Sequence, residues 1–309
     1  MIRKIYNKFK SNVSYKKIKN NKLYKTSIEI NETFSNSDRK IKKIILCINS
    51  GRSGTRWLND IFREHYKVDG GVERNVEAEA FWRYVNFNKL PIDLSGVIEV
   101  TKREILLDWL ESDISITVSP YFSHNFLGLI EELKIDKIIW GITNPRFTIT
   151  SFYNKGWYKE NLTYNQFDKV VGYQFNDSWS HFLGRVMPSG DEFKRWDSLT
   201  RVGKVSWFVN MIHCEIYKQI QQLPKEMIYV FKLADADQNY DMYKTMVNYF
   251  NLTPIMSEKK FLGLKKLTAK ASENKVKKWT EEEEKEFLEE TEDLREIYEN
   301  ELNKFSPYV

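Results

Sequence analysis

The chain has 309 residues, of which 41% are hydrophobic and 15% are aromatic, so it can bury the core of one large domain. Its two cysteines, Cys47 and Cys214, exclude a disulfide framework, and no segment approaches the roughly 20 consecutive apolar residues of a transmembrane helix. The N-terminal residues lack the apolar stretch of a signal peptide, and we therefore expect a cytoplasmic protein.

Positive charge is concentrated near the N-terminus. The net charge is +5, and residues 1–27 carry nine Lys or Arg and no acidic residue, which leaves −4 for the rest of the chain. We predict that residues 1–40 form a basic, poorly ordered arm. The alternative is a short basic amphipathic helix that makes peripheral contact with an anionic surface or a polysaccharide.

Apolar runs of five or six residues alternate with amphipathic stretches along the rest of the chain. Such runs are typical of strands that are buried on both faces. The predicted strands span residues 44–48, 114–118, 137–142 and 227–231. The predicted helices span residues 55–66, 122–133, 205–223 and 240–250, and further helices begin at Asn144-Pro145 and at residue 280. This alternation predicts an α/β fold with a central parallel sheet flanked by helices.

Residues 41–309 are predicted to form one domain with two additions. Residues 155–200 are rich in Trp, Phe, Tyr, Asn and Gly and show little periodicity, which is typical of a helical or irregular insertion or lid. Residues 280–309 begin with an acidic amphipathic helix, and its run of Glu indicates a solvated face.

The segment between the first predicted strand and the first predicted helix has the composition of an anion-binding loop. Two glycines allow the backbone to approach an anion closely, and the helix N-terminus favours negative charge there. Two hydroxyl side chains add donors, and two arginines add charge. These pairs are Gly51 and Gly54, Ser53 and Thr55, and Arg52 and Arg56.

A P-loop kinase or NTPase is one interpretation of this loop. That motif requires Gly-x-x-x-x-Gly-Lys followed by Ser or Thr, whereas here Arg56 follows Thr55 and the Lys is missing. The sequence Ser-Gly-Arg-Ser-Gly-Thr-Arg-Trp-Leu instead closely resembles the 5′-phosphosulfate loop of the sulfotransferases that use 3′-phosphoadenosine 5′-phosphosulfate (PAPS).

The resemblance implies a P-loop-like sulfotransferase fold and donor binding by the loop from Ser50 to Trp57. In this family, a cation at the position of Arg52 stabilises the leaving phosphate oxygen, and an aromatic ring at the position of Trp57 stacks on adenine. The alternative for both residues is structural, with Arg52 at a turn and Trp57 in the core.

A second segment resembles the same family, in which a strand ends in Arg-Asp/Asn-Pro-Arg and a Ser eight positions after the first Arg binds the 3′-phosphate. This chain has Thr143-Asn144-Pro145-Arg146, and Ser151 lies eight positions after Thr143. Because Thr143 replaces the family Arg, we expect either Arg146 or a Lys of the basic segment ending at Lys270 to hold that phosphate. The resemblance also implies that Phe231 faces the adenine.

Sulfuryl transfer needs a base for the acceptor proton, and two residues compete for that role. Glu73 is favoured, because its segment should open at the carboxyl ends of the strands, and Glu77 and Glu79 are nearby alternatives. His124 lies near the segment where the small-molecule branch of the family carries its His. The remaining possibility for Glu73 is a surface acid paired with Arg74. His65, His181 and His213 are interpreted as surface or core histidines.

The resemblance implies transfer from PAPS to a hydroxyl or amine, with adenosine 3′,5′-bisphosphate (PAP) as the product. We expect a carbohydrate acceptor, with a small-molecule alcohol or phenol as the alternative, and neither a metal ion nor a nucleic-acid partner. Two other functions stay open. They are a P-loop-type enzyme that binds magnesium and ATP, and a non-catalytic polyanion-binding module that uses the basic arm.

Overall fold

The computed structural model describes residues 34, 41–159, 184–233, 239–268 and 278–305, with residues 265–268 described by their backbone alone. The chain divides into two compact units, Met1–Ile41 and Lys42–Val309, and the second contains the sheet and the helices. Nearly all of the predicted basic arm, the middle of the predicted insertion (160–183) and Lys270 lie outside the described residues. None of the described helices is both long and apolar enough to span a membrane.

Five strands form one sheet in the order β2-β3-β1-β4-β5. The strands are β1 Lys43–Ile48, β2 Val68–Val72, β3 Ile114–Ser119, β4 Lys137–Ile142 and β5 Ile228–Lys232. Every neighbouring pair is parallel, with β1 at the centre of the sheet. The predicted α/β class with a central parallel sheet is therefore confirmed.

Helices connect the strands and pack on both faces of the sheet. The α-helices of the described residues are α1 Thr55–Phe62, α2 Val76–Asn88, α3 Ser95–Asp108, α4 Phe126–Leu133, α5 Pro145–Asn154, α6 Asp191–Ser198, α7 Arg201–Ile220, α8 Tyr240–Phe250, α9 Glu258–Thr268, α10 Glu281–Glu290 and α11 Glu292–Glu296. Short 3-10 turns lie at Tyr121–Ser123, Lys225–Met227 and Leu302–Lys304, and a π-helical turn lies at Ile297–Glu301.

Alternate side chains of the central strands pack against different helices. Ile45 and Ile139 belong to a buried cluster that includes side chains of α1, α8 and α9. Trp140, on the opposite face, is fully buried, and its indole nitrogen donates to His213 of α7 at 3.1 Å. The central strands are thus buried on both sides, as their continuous apolar sequence predicts.

The edge strand β2 is absent from the strands predicted from the sequence. Its sequence Val-Asp-Gly-Gly-Val has low strand propensity. It nevertheless pairs in register with β3, from Val68 opposite Ile114 to Val72 opposite Val118. A Cβ atom on Gly70 would lie 2.0 Å from the Ile116 carbonyl oxygen, so the glycine permits the close approach of the two strands.

Three predicted helices differ from the observed ones at their ends, and one of them, predicted for residues 205–223, spans Arg201–Ile220. The helix predicted for residues 55–66 ends at Phe62, and Lys67, in a left-handed conformation (φ 55°), directly precedes β2. The helix predicted for residues 122–133 is interrupted because His124 is extended and Asn125 is left-handed (φ 55°). The helix predicted at 240–250 is confirmed with the same bounds.

Candidate functional site

The topology places a crevice between the carboxyl ends of β1 and β4. From β1 the chain passes through α1 to β2 on one side of the sheet, and from β4 it continues to β5 on the other side. Ligands of parallel α/β sheets bind where the connections of two adjacent strands diverge in this way. The loop at residues 49–54 follows β1 and the segment Thr143–Asn144 follows β4, so both predicted nucleotide motifs border this crevice.

The loop after β1 has an unusual backbone. Gly51, Arg52 and Gly54 all have positive φ angles of 93°, 61° and 76°. The side chain of Asn49 stabilises the turn, because its Oδ1 accepts a hydrogen bond from the Gly51 N–H at 2.6 Å. Arg52 is not a glycine, and its left-handed conformation carries a conformational cost that functional loops often bear.

Helix α1 begins without a capping side chain. Gly54 is its N-cap residue, and the first turn contains no acidic residue. The first amides of an α-helix have no partner within the helix, so these groups stay available for an anion. In contrast, the Asn144 side chain caps α5 and accepts from the Arg146 N–H at 3.0 Å.

The two predicted halves of the nucleotide site meet at Arg52. Its Nε donates to the Ser151 Oγ of α5 at 2.9 Å, although the residues are 99 positions apart. The Arg52 side chain is exposed, but its pKa is lowered by desolvation and by the charge of Arg56, with the carboxylate of Glu73 acting in the opposite direction. The charges of Arg56 and Glu73 thus both act on the guanidinium of Arg52.

The loop hydroxyls take different environments. Ser50 is buried, and its Oγ lies 3.0 Å from Nε2 of His213 and donates to the Gly51 carbonyl at 3.2 Å. Ser53 is also buried, whereas Thr55 is half-buried and Arg56 is exposed. Sequence reasoning treated His213 only as a surface or core residue. No local signal could reveal its contact with Ser50, since 163 positions separate the two.

The two aromatic residues predicted to contact adenine, Trp57 and Phe231, lie next to each other, but both are buried. The rings of Trp57 and Phe231 lie 6.0 Å apart, and Phe261 of α9 lies 5.6 Å from Trp57. Trp57 is only 4% exposed, which matches its alternative interpretation as a core residue. An adenine ring could stack on Trp57 only after a neighbouring side chain moves.

Arg146 is engaged with the C-terminal helices. Its guanidinium pairs with both oxygens of Glu284 in α10, at 2.7 and 2.5 Å, and lies over the rings of Trp279 and Phe287. The hydrogen bond with Glu284 raises the pKa of Arg146. Contact between Arg146 and a 3′-phosphate would therefore require this ion pair to open. Lys270, the other predicted contact, lies outside the described residues.

Glu73 follows β2 at the carboxyl end of the sheet, where its N–H donates to the Val118 carbonyl at 3.0 Å. It is exposed, and its charge acts on the pKa values of Arg52, Arg83 and Tyr121. The neighbouring Arg74 instead pairs with Asp108 at 2.7 Å, and its hydrogen bonds go to β3 and α3. The alternative in which Glu73 is a surface acid paired with Arg74 is therefore not what the structure shows.

His124 follows the 3-10 turn that comes directly after β3. It is 7% exposed, and burial, together with the charge of Arg83, lowers its pKa to about 3. It lines a cleft of about 590 Å³ between the end of α2, the start of α4 and the outer face of α7. None of the residues of the 49–57 loop lines this cleft. The neutral imidazole thus borders a cleft to which Arg52 does not contribute.

Glu79 is a buried carboxyl close to Glu73. It is 3% exposed, and burial, the largest effect, raises its pKa to about 7. Its Oε1 accepts from the Asn75 N–H at 3.3 Å, while Oε2 has no hydrogen-bond partner in the described part of the chain. Glu77, on the same turn, is exposed. Perturbed carboxyls of this kind are frequent near functional sites.

Comparison with solved structures identifies the architecture. The crystal structure of sulfotransferase STF9 from Mycobacterium avium superposes with a TM-score of 0.52 at 9% sequence identity, covering 87% of this chain and 81% of that one. The chain has a sulfotransferase fold. The sulfotransferase domain from the curacin biosynthetic pathway is also similar, with a TM-score of 0.41, 13% identity and coverage of 70% and 76%. No protein-family model and no curated protein sequence matches the chain.

Within the sulfotransferase fold, the predicted P-loop-like architecture is confirmed. The crevice between β1 and β4 is the part of this fold that carries the loop from Ser50 to Trp57, and the α5 residue Ser151 reaches it through Arg52. Glu73 lies at the same edge of the sheet, and His124 lines a cleft to which no residue of the 49–57 loop contributes.

Proposed function

We propose that this protein transfers the sulfuryl group of PAPS to a hydroxyl or amine of an acceptor. The observation that supports the proposal most is the contact of Arg52 with Ser151, because it joins the 5′-phosphosulfate motif to the 3′-phosphate motif at the mouth of the crevice. The two motifs are separate segments of the sequence that resemble the same family. A single bound nucleotide that carries both phosphates explains why they meet.

In the proposed reaction, the acceptor oxygen or nitrogen attacks sulfur in line with the bond to the 5′-phosphate. A new bond to sulfur forms as the sulfur–oxygen bond to the phosphate breaks, and PAP leaves. The guanidinium of Arg52 and the uncapped amides of α1 stabilise the negative charge that develops on the leaving oxygen. The carboxylate of Glu73 accepts the acceptor proton.

The alternative function is magnesium-dependent use of ATP. A comparison of the thermal stabilisation by PAP and by ATP with magnesium distinguishes it from the proposed function. A ligand that binds only the folded state raises its stability by RT ln(1 + [L]/Kd). PAP should therefore raise the thermal midpoint without magnesium, whereas ATP with magnesium should raise it much less. Equal or greater stabilisation by magnesium and ATP would favour the kinase interpretation and overturn the proposal.

A carbohydrate is proposed as the acceptor, because Glu73 and the Gly-Thr-Arg loop resemble the glycan-directed branches of the family. The test is a panel of neutral sugars, acidic sugars, phenols and aliphatic alcohols incubated with ³⁵S-labelled PAPS. Label that moves to a sugar supports the carbohydrate acceptor. Label that moves only to phenols or simple alcohols places the enzyme with small-molecule acceptors while leaving the donor proposal intact.

A further inference from the structure

A buried chain of hydrogen bonds leads from the centre of the sheet to the loop after β1. The indole nitrogen of Trp140 in β4 donates to Nδ1 of His213, and Nε2 of His213 lies 3.0 Å from the Ser50 Oγ. Trp140, His213 and Ser50 are 0%, 1% and 1% exposed. Hydrogen bonds in such an environment have no competition from water and fix the orientation of their members.

The direction of each bond follows from the chemistry of the groups. An indole N–H is a donor only, so Nδ1 of His213 must be the acceptor. Burial lowers the pKa of His213 to about 3, so the ring is neutral and its one proton is on Nε2. This N–H donates to the Ser50 Oγ, and the Ser50 hydroxyl then donates to the Gly51 carbonyl.

The last bond of the chain determines which way one peptide unit faces. In a trans peptide, the carbonyl of one residue and the N–H of the next point in opposite directions. The Gly51 carbonyl is held toward the buried Ser50 hydroxyl, so the N–H of Arg52 points away from it. Gly51 has a positive φ of 93° and no Cβ, so sterics alone do little to prevent rotation of this peptide unit. The Ser53 Oγ also donates to the Gly51 carbonyl, but at 3.5 Å this bond is longer and weaker than the one from Ser50 at 3.2 Å.

We infer that Trp140, His213 and Ser50 are positioning residues that keep the Gly51–Arg52 peptide from turning its carbonyl toward the donor. A rotated peptide would aim a partial negative charge at the phosphosulfate and remove one N–H from it. The inference rests on the proposed function for the identity of the ligand, whereas the hydrogen-bond chain itself does not depend on the ligand.

The first test examines the hydrogen bonds of Trp140, His213 and Ser50 in the absence of any nucleotide. Long-range ¹H–¹⁵N NMR spectra of the full-length protein should show His213 as the neutral tautomer protonated at Nε2. Hydrogen exchange should be faster at the amides of residues 51–54 in Ser50→Ala than in the wild type, with unchanged exchange in β4. A tautomer protonated at Nδ1, or unchanged exchange in the loop, would overturn the inference.

The second test uses PAP binding measured by calorimetry. His213→Leu and Ser50→Ala should each weaken PAP binding by about 10-fold, the effect of one buried hydrogen bond. The double variant should be no weaker than His213→Leu, because both changes break the same chain. If the double variant instead lost PAP affinity by the product of the two single-variant factors, His213 and Ser50 would not act through the same hydrogen-bond chain.

His213→Gln is the matched control, because a Gln amide can accept from Trp140 through its oxygen and donate to Ser50 through its nitrogen. It should restore most of the PAP affinity that His213→Leu loses. A His213→Gln variant as weak as His213→Leu, with both equally folded by circular dichroism, would show that His213 only fills space. If the wild type does not bind PAP, the proposed function fails, and the NMR and exchange measurements still decide the inference.

Discussion

At the scale of single residues, Arg52 carries the strongest prediction. In the proposed reaction, Arg52→Ala removes the positive charge that stabilises the leaving phosphate oxygen, and it also removes the hydrogen bond to Ser151. We expect kcat to fall by about 100-fold or more, with a smaller loss of PAP affinity, because the charge on that oxygen is greatest in the transition state. Arg63→Ala is the control, since Arg63 pairs with Asp69 outside the loop. Near-normal turnover of Arg52→Ala would show that Arg52 has only a structural role at the turn.

Glu73 and His124 are distinguished by their placement and can be separated by substitution. Glu73→Gln keeps the shape of the side chain but removes the proton acceptor, so turnover should fall by about 100- to 10,000-fold while PAP still binds. His124→Asn should have little effect on turnover, because His124 lines the cleft beside α7 rather than the loop of Arg52. A silent Glu73→Gln combined with an inactive His124→Asn would reverse the assignment of the base.

The buried carboxyl of Glu79 predicts a pH dependence of stability. Its folded-state pKa of about 7 lies above the ordinary value of 4.5, so the folded protein holds a proton that the unfolded chain releases. Stability from this group is therefore fully present below pH 4.5, declines as the pH rises from there, and is lost above about pH 7.

Glu79→Gln removes this titration. The free energy of unfolding of the variant, relative to the wild type, should rise between pH 5 and pH 8 by up to about 3 kcal/mol, measured by urea titration at several pH values. Glu77→Gln, on the exposed side of the same turn, should run parallel to the wild type. Parallel curves for Glu79→Gln as well would mean that Glu79 ionises normally in the folded protein.

At the scale of secondary-structure elements, β2 depends on a glycine that allows close pairing. Gly70→Ala places a Cβ against the Ile116 backbone, which cannot move aside as a flexible side chain can. We expect a loss of about 1–3 kcal/mol in the free energy of unfolding. Gly96→Ala is the matched control, because a Cβ on Gly96 meets nothing within 4 Å and α3 should gain stability slightly. Equal effects of the two changes in denaturant titrations would argue against the observed β2–β3 pairing.

The observed strands and helices also show which of them hydrophobic patterning can predict and which it cannot. The buried strands β1, β3 and β4 were predicted within one residue, because each is a continuous apolar run with polar flanks. The interruption of the helix before α4 could not be predicted, since it depends on the left-handed conformation of Asn125. Asn adopts this conformation more readily than most residues, but its presence in a sequence does not require it.

At the scale of the whole molecule, the basic residues of the N-terminal segment form a separate prediction. Removal of residues 1–27 eliminates nine positive charges and no negative ones. We expect turnover with a small acceptor to be retained and binding to anionic lipid vesicles at low salt to be lost, as measured by co-sedimentation. A full-length variant with these nine residues changed to Gln should behave like the truncated protein. Loss of PAP binding on truncation would instead support the polyanion-binding module.

The sequence by itself determined the fold class and the position of the loop, and it contains a second segment that resembles the same family. These features are local: a buried strand, a glycine-rich turn and a helix start are encoded within about ten consecutive residues. The expectation that the segments containing Arg52 and Ser151 serve one site also came from motif resemblance, and the structure places the two side chains in contact.

Only the tertiary structure decided which distant residues bond to these motifs and in what environment the candidate acid–base residues lie. The bond of His213 to Ser50 spans 163 positions and that of Arg146 to Glu284 spans 138, and neither has a sequence signal. The raised pKa of Glu79 and the lowered pKa of His124 arise from burial, the largest cause for each. Burial depends on the packing of distant segments, so the sequence could propose the charged groups but not the environment that sets their chemistry.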